Sequence, residues 1–310
     1  MPISFDRHKI ANFGSLEFKA KQVVEGFITG LHKSPYHGFS VEFAEHRAYN
    51  KGESTRHVDW KLYAKTDKLF VKKYDEETNL RCQIVIDTSS SMNFPLDIDY
   101  EKDKYDKIGF ASYAAASLIQ LMRKQRDAVG ITLFNDHVYK HINAKSNSLH
   151  VHHLFQNLEE IINPDRNKQQ MSATVNAIHE VAERIHKRSL VIIFSDLMDN
   201  SGRQDELFDA LQHLRYYKHD VVIFDVFDSK HEVSLDYDNR PYTFIDQETG
   251  DRIKLNPTSI KEVYEKRMKK FIHNLAVKCG QYKIDFVQCD VNEGFYPVLL
   301  QYMVKRQGLY

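Results

Sequence analysis

The chain has 310 residues, 42% hydrophobic and 28% charged, which suits one large α/β domain with an added subdomain and a well-buried core. Its 43 basic and 43 acidic side chains balance, so bulk charge offers no attraction for nucleic acid or an anionic membrane. The apolar runs are far too short to span a bilayer, and Met1-Pro2-Ile3-Ser4 lacks the apolar core of a signal peptide, so a cytoplasmic protein is expected.

Residues 1 to 78 differ in texture from the rest. A helical stretch from about Ser15 to Gly30 is followed by Ser34-Pro35 and a polar, aromatic segment ending in Arg56-His57-Val58-Asp59-Trp60. The segment predicts a collar on a main domain at 79–306. In that collar Arg47 and Arg56 pair with Glu42, Glu45 or Asp59, and Trp60 packs against the sheet.

Continuous apolar runs then predict buried strands at Gln83–Asp87, Val129–Phe134, Leu190–Ser195, Val221–Phe227 and Ile284–Gln288. Helical patterns separate them, at Ile108–Met122, Leu149–Ile161, Thr174–Lys187, Asp205–Tyr217, Thr258–Lys278 and Phe295–Arg306. This alternation predicts a doubly wound, mostly parallel α/β sheet. Asp136–Ile142 reads as an antiparallel edge strand. Residues 229–257 break the alternation with a β-hairpin insertion whose turn is Glu248-Thr249-Gly250-Asp251.

Chemistry concentrates at the strand ends. The first strand empties into Asp87-Thr88-Ser89-Ser90-Ser91-Met92, which offers one carboxylate and two hydroxyls to a hard cation that favours oxygen. Two further donors are expected from other loops: Thr174, opening a helix, and Asp196, ending a strand. In an open α/β sheet such ends meet where the winding reverses. Mg²⁺ or Mn²⁺ is the expected ion, since two carboxylates are few for tight Ca²⁺ binding.

The loop set resembles the metal-ion-dependent adhesion site of von Willebrand factor type A domains. The likeness implies a von Willebrand factor A or Rossmann-like fold in which Ser89, Ser91 and Thr174 are hydroxyl ligands. Asp87 and Asp196 would then hold the ion directly or through water, and an open position would accept a partner's carboxylate. Together with Glu42-Phe43, Arg47-x-Tyr49, Arg56-x-x-Asp59-Trp60, Val129-Gly130, Phe134, Ser195-Asp196 and Glu248-Thr249-Gly250, the chain resembles the bacterial family called domain of unknown function fifty-eight. That resemblance implies a non-enzymatic adaptor for a MoxR-type AAA+ ATPase, acting in chaperone-like maturation or assembly of other proteins.

The rival reading is a metal-dependent phosphoesterase or nuclease. Such enzymes use more carboxylates, often around two metals, and Asp225 and Asp228 would have to enlarge the cluster. As strand-end turn formers they need not. The hydroxyl-rich shell lacks an evident general base, and Phe194-Ser195-Asp196 lacks the Gly-x-Ser-x-Gly elbow of a serine hydrolase. Cys82, Cys279 and Cys289 have neither disulfide nor zinc-knuckle spacing, and His150-Val151-His152-His153 lacks the further ligands of a zinc site.

Overall fold

A computed structural model of the chain describes residues 15–30, 43–49, 58–74, 80–162, 171–198 and 204–307. The chain divides into two compact units, Thr29–Asn79 on the one hand and Met1–Ile28 with Leu80–Tyr310 on the other.

The first helix, α1 (Ser15–Gly30), groups up to Ile28 with the larger unit rather than with the collar. Leu16, Ala20 and Val24 explain why: at spacings of four they make one buried apolar stripe. Lys19 hydrogen-bonds the Tyr100 carbonyl, and Arg123 pairs with Glu17 at 3.3 Å.

In the smaller unit, β1 (Phe43–Ala48) and β2 (Phe70–Tyr74) pair antiparallel, with α2 (Trp60–Thr66) between them in sequence. Asp59 caps α2, accepting from the Lys61 and Leu62 amides at 3.0 and 3.1 Å. Trp60 departs from the expected burial: it is 58% exposed, its ring edge-on to Tyr63 at 6.2 Å. It opens a helix of only seven residues, none of them buried. Ser34-Pro35, Glu42 and Arg56 lie outside the described residues, as do the side chains of Glu45 and Arg47.

The larger unit runs β3 (Arg81–Asp87), α3 (Lys107–Gln125), β4 (Ala128–Phe134), β5 (Val138–Lys145), α4 (Ser148–Ile162), α5 (Thr174–Arg184), β6 (Leu190–Ser195), α6 (Gln204–Tyr216) and β7 (Asp220–Phe227). It continues with β8 (Tyr242–Ile245), β9 (Arg252–Leu255), α7 (Pro257–Gln281), β10 (Asp285–Asp290) and α8 (Phe295–Gln307). Six strands form one sheet in the order β10-β7-β6-β3-β4-β5, parallel except for the edge strand β5. The fold is therefore the doubly wound, mostly parallel α/β arrangement expected of a von Willebrand factor A or Rossmann-like domain. Strands β8 and β9 form the separate hairpin. Helix α5 ends at Arg184, short of Lys187, because Ile185 is already extended.

Both faces of the sheet are covered at its centre, which is why the strands β3, β4, β6 and β7 are largely apolar. Val85, Ile193 and Ile223 pack with residues of α5, α6 and α7, including Val181, Leu211 and Cys279. On the other face Phe194 stacks on Phe224 at 4.8 Å, and Phe224 meets Tyr302 of α8. Cys82, Cys279 and Cys289 are buried free thiols.

The winding reverses beside β3. From β3 the chain moves out through β4 to β5, then returns to β6 on the opposite side of β3. The ends of β3 and β6 thus flank the crevice where open α/β sheets carry their ligands. Ile86 pairs with Phe194 and Ser195 with Asp225, so Asp87, Ser195 and Asp225 form one row across three strands.

Candidate metal centre

The loop after β3 is locked from beneath. The Thr88 amide and hydroxyl both donate to the Phe134 carbonyl at 2.8 Å, and Met92 is fully buried. The Ser89 amide donates to Asp87 Oδ1 at 2.9 Å, folding the loop back on its carboxylate. The Ser89 and Ser91 hydroxyls then stand 3.0 Å apart.

Thr174 arrives from the start of α5. The Ser172 hydroxyl bridges it to the first loop, donating to Asp87 Oδ2 at 3.1 Å and lying 2.9 Å from Thr174 Oγ1. The Ala173 amide donates to the Asn135 carbonyl, fixing this turn to the end of β4. Ser195 Oγ also donates to Asp87 Oδ2, at 2.9 Å. From the end of β6, Asp196 lies near the Ser91 hydroxyl, which helps to hold its carboxylate low. Asp87, Ser89, Ser91 and Thr174 thus belong to one hydrogen-bonded network that Asp196 flanks, with Asp87, Ser89, Thr174 and Asp196 buried.

Sequence reasoning missed four participants. Ser172 and Ser195 are neighbours of predicted ligands, and their hydroxyls serve Asp87. Lys107, the first residue of α3, is fully buried and reaches Asp196 Oδ2 at 2.7 Å and Glu232 Oε1 at 2.6 Å. Its position follows from the cap of α3: Asp106 accepts from the Gly109 amide and the Tyr100 hydroxyl, both at 2.9 Å. A Cβ on Gly109 would sit 2.6 Å from that carboxylate, so the absence of a side chain permits the closure. The fourth is Glu248, from the turn between β8 and β9, which accepts from the Ser172 amide at 3.1 Å and lies near the Ser91 hydroxyl. A signal existed for Ser172 and Ser195 in their adjacency to Thr174 and Asp196, and for Glu248 in the Glu248-Thr249-Gly250 turn, but none for Lys107.

The two strand-end candidates of β7 separate clearly. Asp228 is a turn former, accepting from the Lys230 and His231 amides and meeting the His231 ring at 2.7 Å. Asp225 belongs to the acid cluster: it is 3% exposed and has no hydrogen-bond or ion-pair partner among the described residues.

The electrostatics are lopsided. Burial, then the neighbouring Asp196 charge, pushes Asp87 up to about 7. Burial and Asp196 likewise hold Asp225 well above the ordinary aspartate range. For Asp196 burial also acts upward, but the Lys107 ammonium and its hydrogen bonds win and hold it low. Burial raises Glu232 despite Lys107. One buried ammonium therefore pairs with Asp196 and Glu232 and leaves Asp87 with neutral donors alone among the described residues, so more positive charge would relieve the site.

The donor set fits a hard divalent cation. Every donor is oxygen, and ligands at the roughly 2.1 Å of an octahedral Mg²⁺ shell lie about 3 Å from their neighbours. The Ser89 and Ser91 hydroxyls have that spacing, at 3.0 Å. No three His, Cys, Asp or Glu residues cluster as a metal centre among the described residues, so an ion here would depend on the hydroxyls as much as on the carboxylates. A cavity of about 380 Å³ lies beside the edge, lined by Thr88, Asn93, Asn135, Tyr139 and Glu160 among others.

The fold and this edge define a doubly wound α/β domain with an oxygen-lined site at its switch point. The chain belongs to the family described as protein of unknown function DUF58, whose model matches residues 45–273. It is similar to the uncharacterized protein Rv1480 of Mycobacterium tuberculosis and to Mb1516 of Mycobacterium bovis, in each case 23% identical over 185 residues, or 59% of this chain. The match spans 56% of the length of these relatives. Among solved structures, BatB from Bacteroides thetaiotaomicron aligns with a TM-score of 0.46 at 15% identity, covering 73% of this chain and 98% of that one. An aerotolerance-related membrane protein from Bacteroides fragilis aligns at 0.43 and 16%, covering 71% and 96%. In the present chain no helix among the described residues is long and apolar enough to cross a membrane.

Proposed function

We propose that this protein is a non-enzymatic, metal-dependent interaction module that docks an acidic side chain of a partner on a divalent cation, Mg²⁺ or Mn²⁺. One observation carries the reading: Asp87, Ser89, Ser91 and Thr174 join one oxygen network at the switch point, and Asp196 flanks it from the end of the neighbouring strand. A bound cation supplies a positive charge with a coordination position open to an incoming carboxylate. The chain's residues do the rest. Ser172 and Ser195 hold Asp87 in place, and Lys107 fixes Asp196 and offsets part of its charge. The identity of the partner, a MoxR-type AAA+ ATPase or its client, rests on the family resemblance alone, as does a role in maturation or assembly.

Retention of a MoxR-type ATPase on the immobilised protein tests this, with Mg²⁺ or with EDTA and with Asp87→Ala. Retention is expected only for the native site with metal. Binding that ignores both EDTA and the substitution sinks the docking reading. Phosphodiester or phosphomonoester turnover that depends on Mg²⁺ and on Asp87 replaces it with the hydrolase.

A further inference from the structure

We infer that Glu248, carried by the turn of the β8–β9 hairpin, is an internal carboxylate ligand that takes the position otherwise offered to a partner's acidic side chain. The inference rests on the cation-docking reading above and adds its regulation: docking proceeds by displacing Glu248.

The turn is built to deliver this side chain. Asp246 Oδ1 accepts from the Glu248 amide at 2.8 Å and the Thr249 amide at 3.1 Å, the Gly250 amide returns to the Asp246 carbonyl at 2.9 Å, and Gly250 sits at φ 76°. Glycine occupies that left-handed conformation without strain. So fixed, the Glu248 carboxylate accepts from the Ser172 amide at 3.1 Å and lies near the Ser91 hydroxyl of the β3 loop. The Ser172 hydroxyl in turn joins Asp87 to Thr174, and the Ser91 hydroxyl stands 3.0 Å from that of Ser89.

The chemistry of this approach runs against simple electrostatics. No Lys or Arg pairs with Glu248 among the described residues, and the charge it meets is that of Asp196. Asp225, buried in the same row and without a partner among the described residues, is held toward its protonated form by burial and by that charge. A turn that brings one more carboxylate to such a place gains from a cation held among them. The bland alternative is that Glu248 serves only the start of α5, as an acid near a helix N-terminus often does. Its approach to Ser91 of the β3 loop is not explained by that role.

Mn²⁺ titration of the whole chain, followed by electron paramagnetic resonance and water-proton relaxation, separates the readings. Glu248→Gln keeps the size of the side chain, Glu248→Ala checks it, and thermal melts verify folding. With Glu248 in place, bound Mn²⁺ is expected to ignore added acetate. Either variant should lose about tenfold or more in Mn²⁺ affinity, gain an exchangeable water, and let acetate displace it. Equal affinity and equal water exchange in native and variant proteins overturns the internal-ligand role while leaving metal docking intact. Absence of Mn²⁺ binding in all three overturns both.

Discussion

The two halves of the candidate site hold their carboxylates in opposite ways. On the β3 side, Asp87 is met only by neutral donors, the Ser89 amide and the Ser172 and Ser195 hydroxyls, and burial pushes it up to about 7. On the β6 side, Asp196 shares the buried Lys107 ammonium with Glu232 and is held low. Neutral donors orient a buried carboxylate but do not balance its charge, whereas an ammonium does both. The difference locates the need for positive charge beside Asp87, where the Ser89 and Ser91 hydroxyls converge, and makes the Asp196 side a fixed wall.

The largest effect should follow from breaking the unbalanced half. Asp87→Ala is expected to abolish any rise in melting temperature on adding Mg²⁺ while leaving the circular dichroism of the fold unchanged; a persisting metal response would move the ion away from β3. Next comes the balanced half. Lys107→Met strands Asp196 and Glu232 and should destabilise the larger unit by about 3–5 kcal/mol in urea unfolding. A loss under about 1 kcal/mol would mean the ammonium is not what steadies that wall.

A pH series sharpens the contrast further. Asp87 binds its proton more tightly folded, near 7, than at the ordinary 3.8, so without metal its contribution to stability fades as pH rises through that window. Asp225 and Glu232, also raised, act in the same direction, and Asp196, held low, acts against them. A cation needs Asp87 ionised, so the Mg²⁺-induced rise in melting temperature should grow between pH of about 5.5 and about 8. A response that is flat across that range would contradict the picture of an uncompensated Asp87.

The smallest effects belong to the collar unit. Asp59→Ala removes the cap of α2 and should cost about 1 kcal/mol locally, read from amide exchange within Trp60–Thr66. Trp60→Ala, at an exposed ring, should change stability by no more than about 0.5 kcal/mol. Protection lost across the whole unit on replacing Trp60 would restore it as a packing anchor.

Much of the architecture was legible before any coordinates. The five parallel strands, the antiparallel edge and the hairpin were readable because buried strands and amphipathic helices carry short-range apolar patterns. Trp60 was misread because its single-residue character says "buried" while the seven-residue helix it opens buries nothing. The helix Ser15–Gly30 was assigned with the collar by chain position, although its stripe of Leu16, Ala20 and Val24 already had the spacing of a helix that must cover a core.

The amino-acid sequence alone determined which residues end strands and open helices, and therefore that Asp87, Ser89, Ser91, Thr174 and Asp196 stand at loop edges; these are local properties of pattern and turn chemistry. Tertiary structure alone decided that Lys107 joins Asp196 to Glu232, that Ser195 serves Asp87, and that Glu248 reaches the Ser172 amide. Those encounters join residues as much as 125 positions apart, and they exist because the sheet reverses its winding beside β3 and a distant hairpin folds back over the same edge. Long-range closure of this kind is set by strand order and packing, which no local spacing of residues encodes.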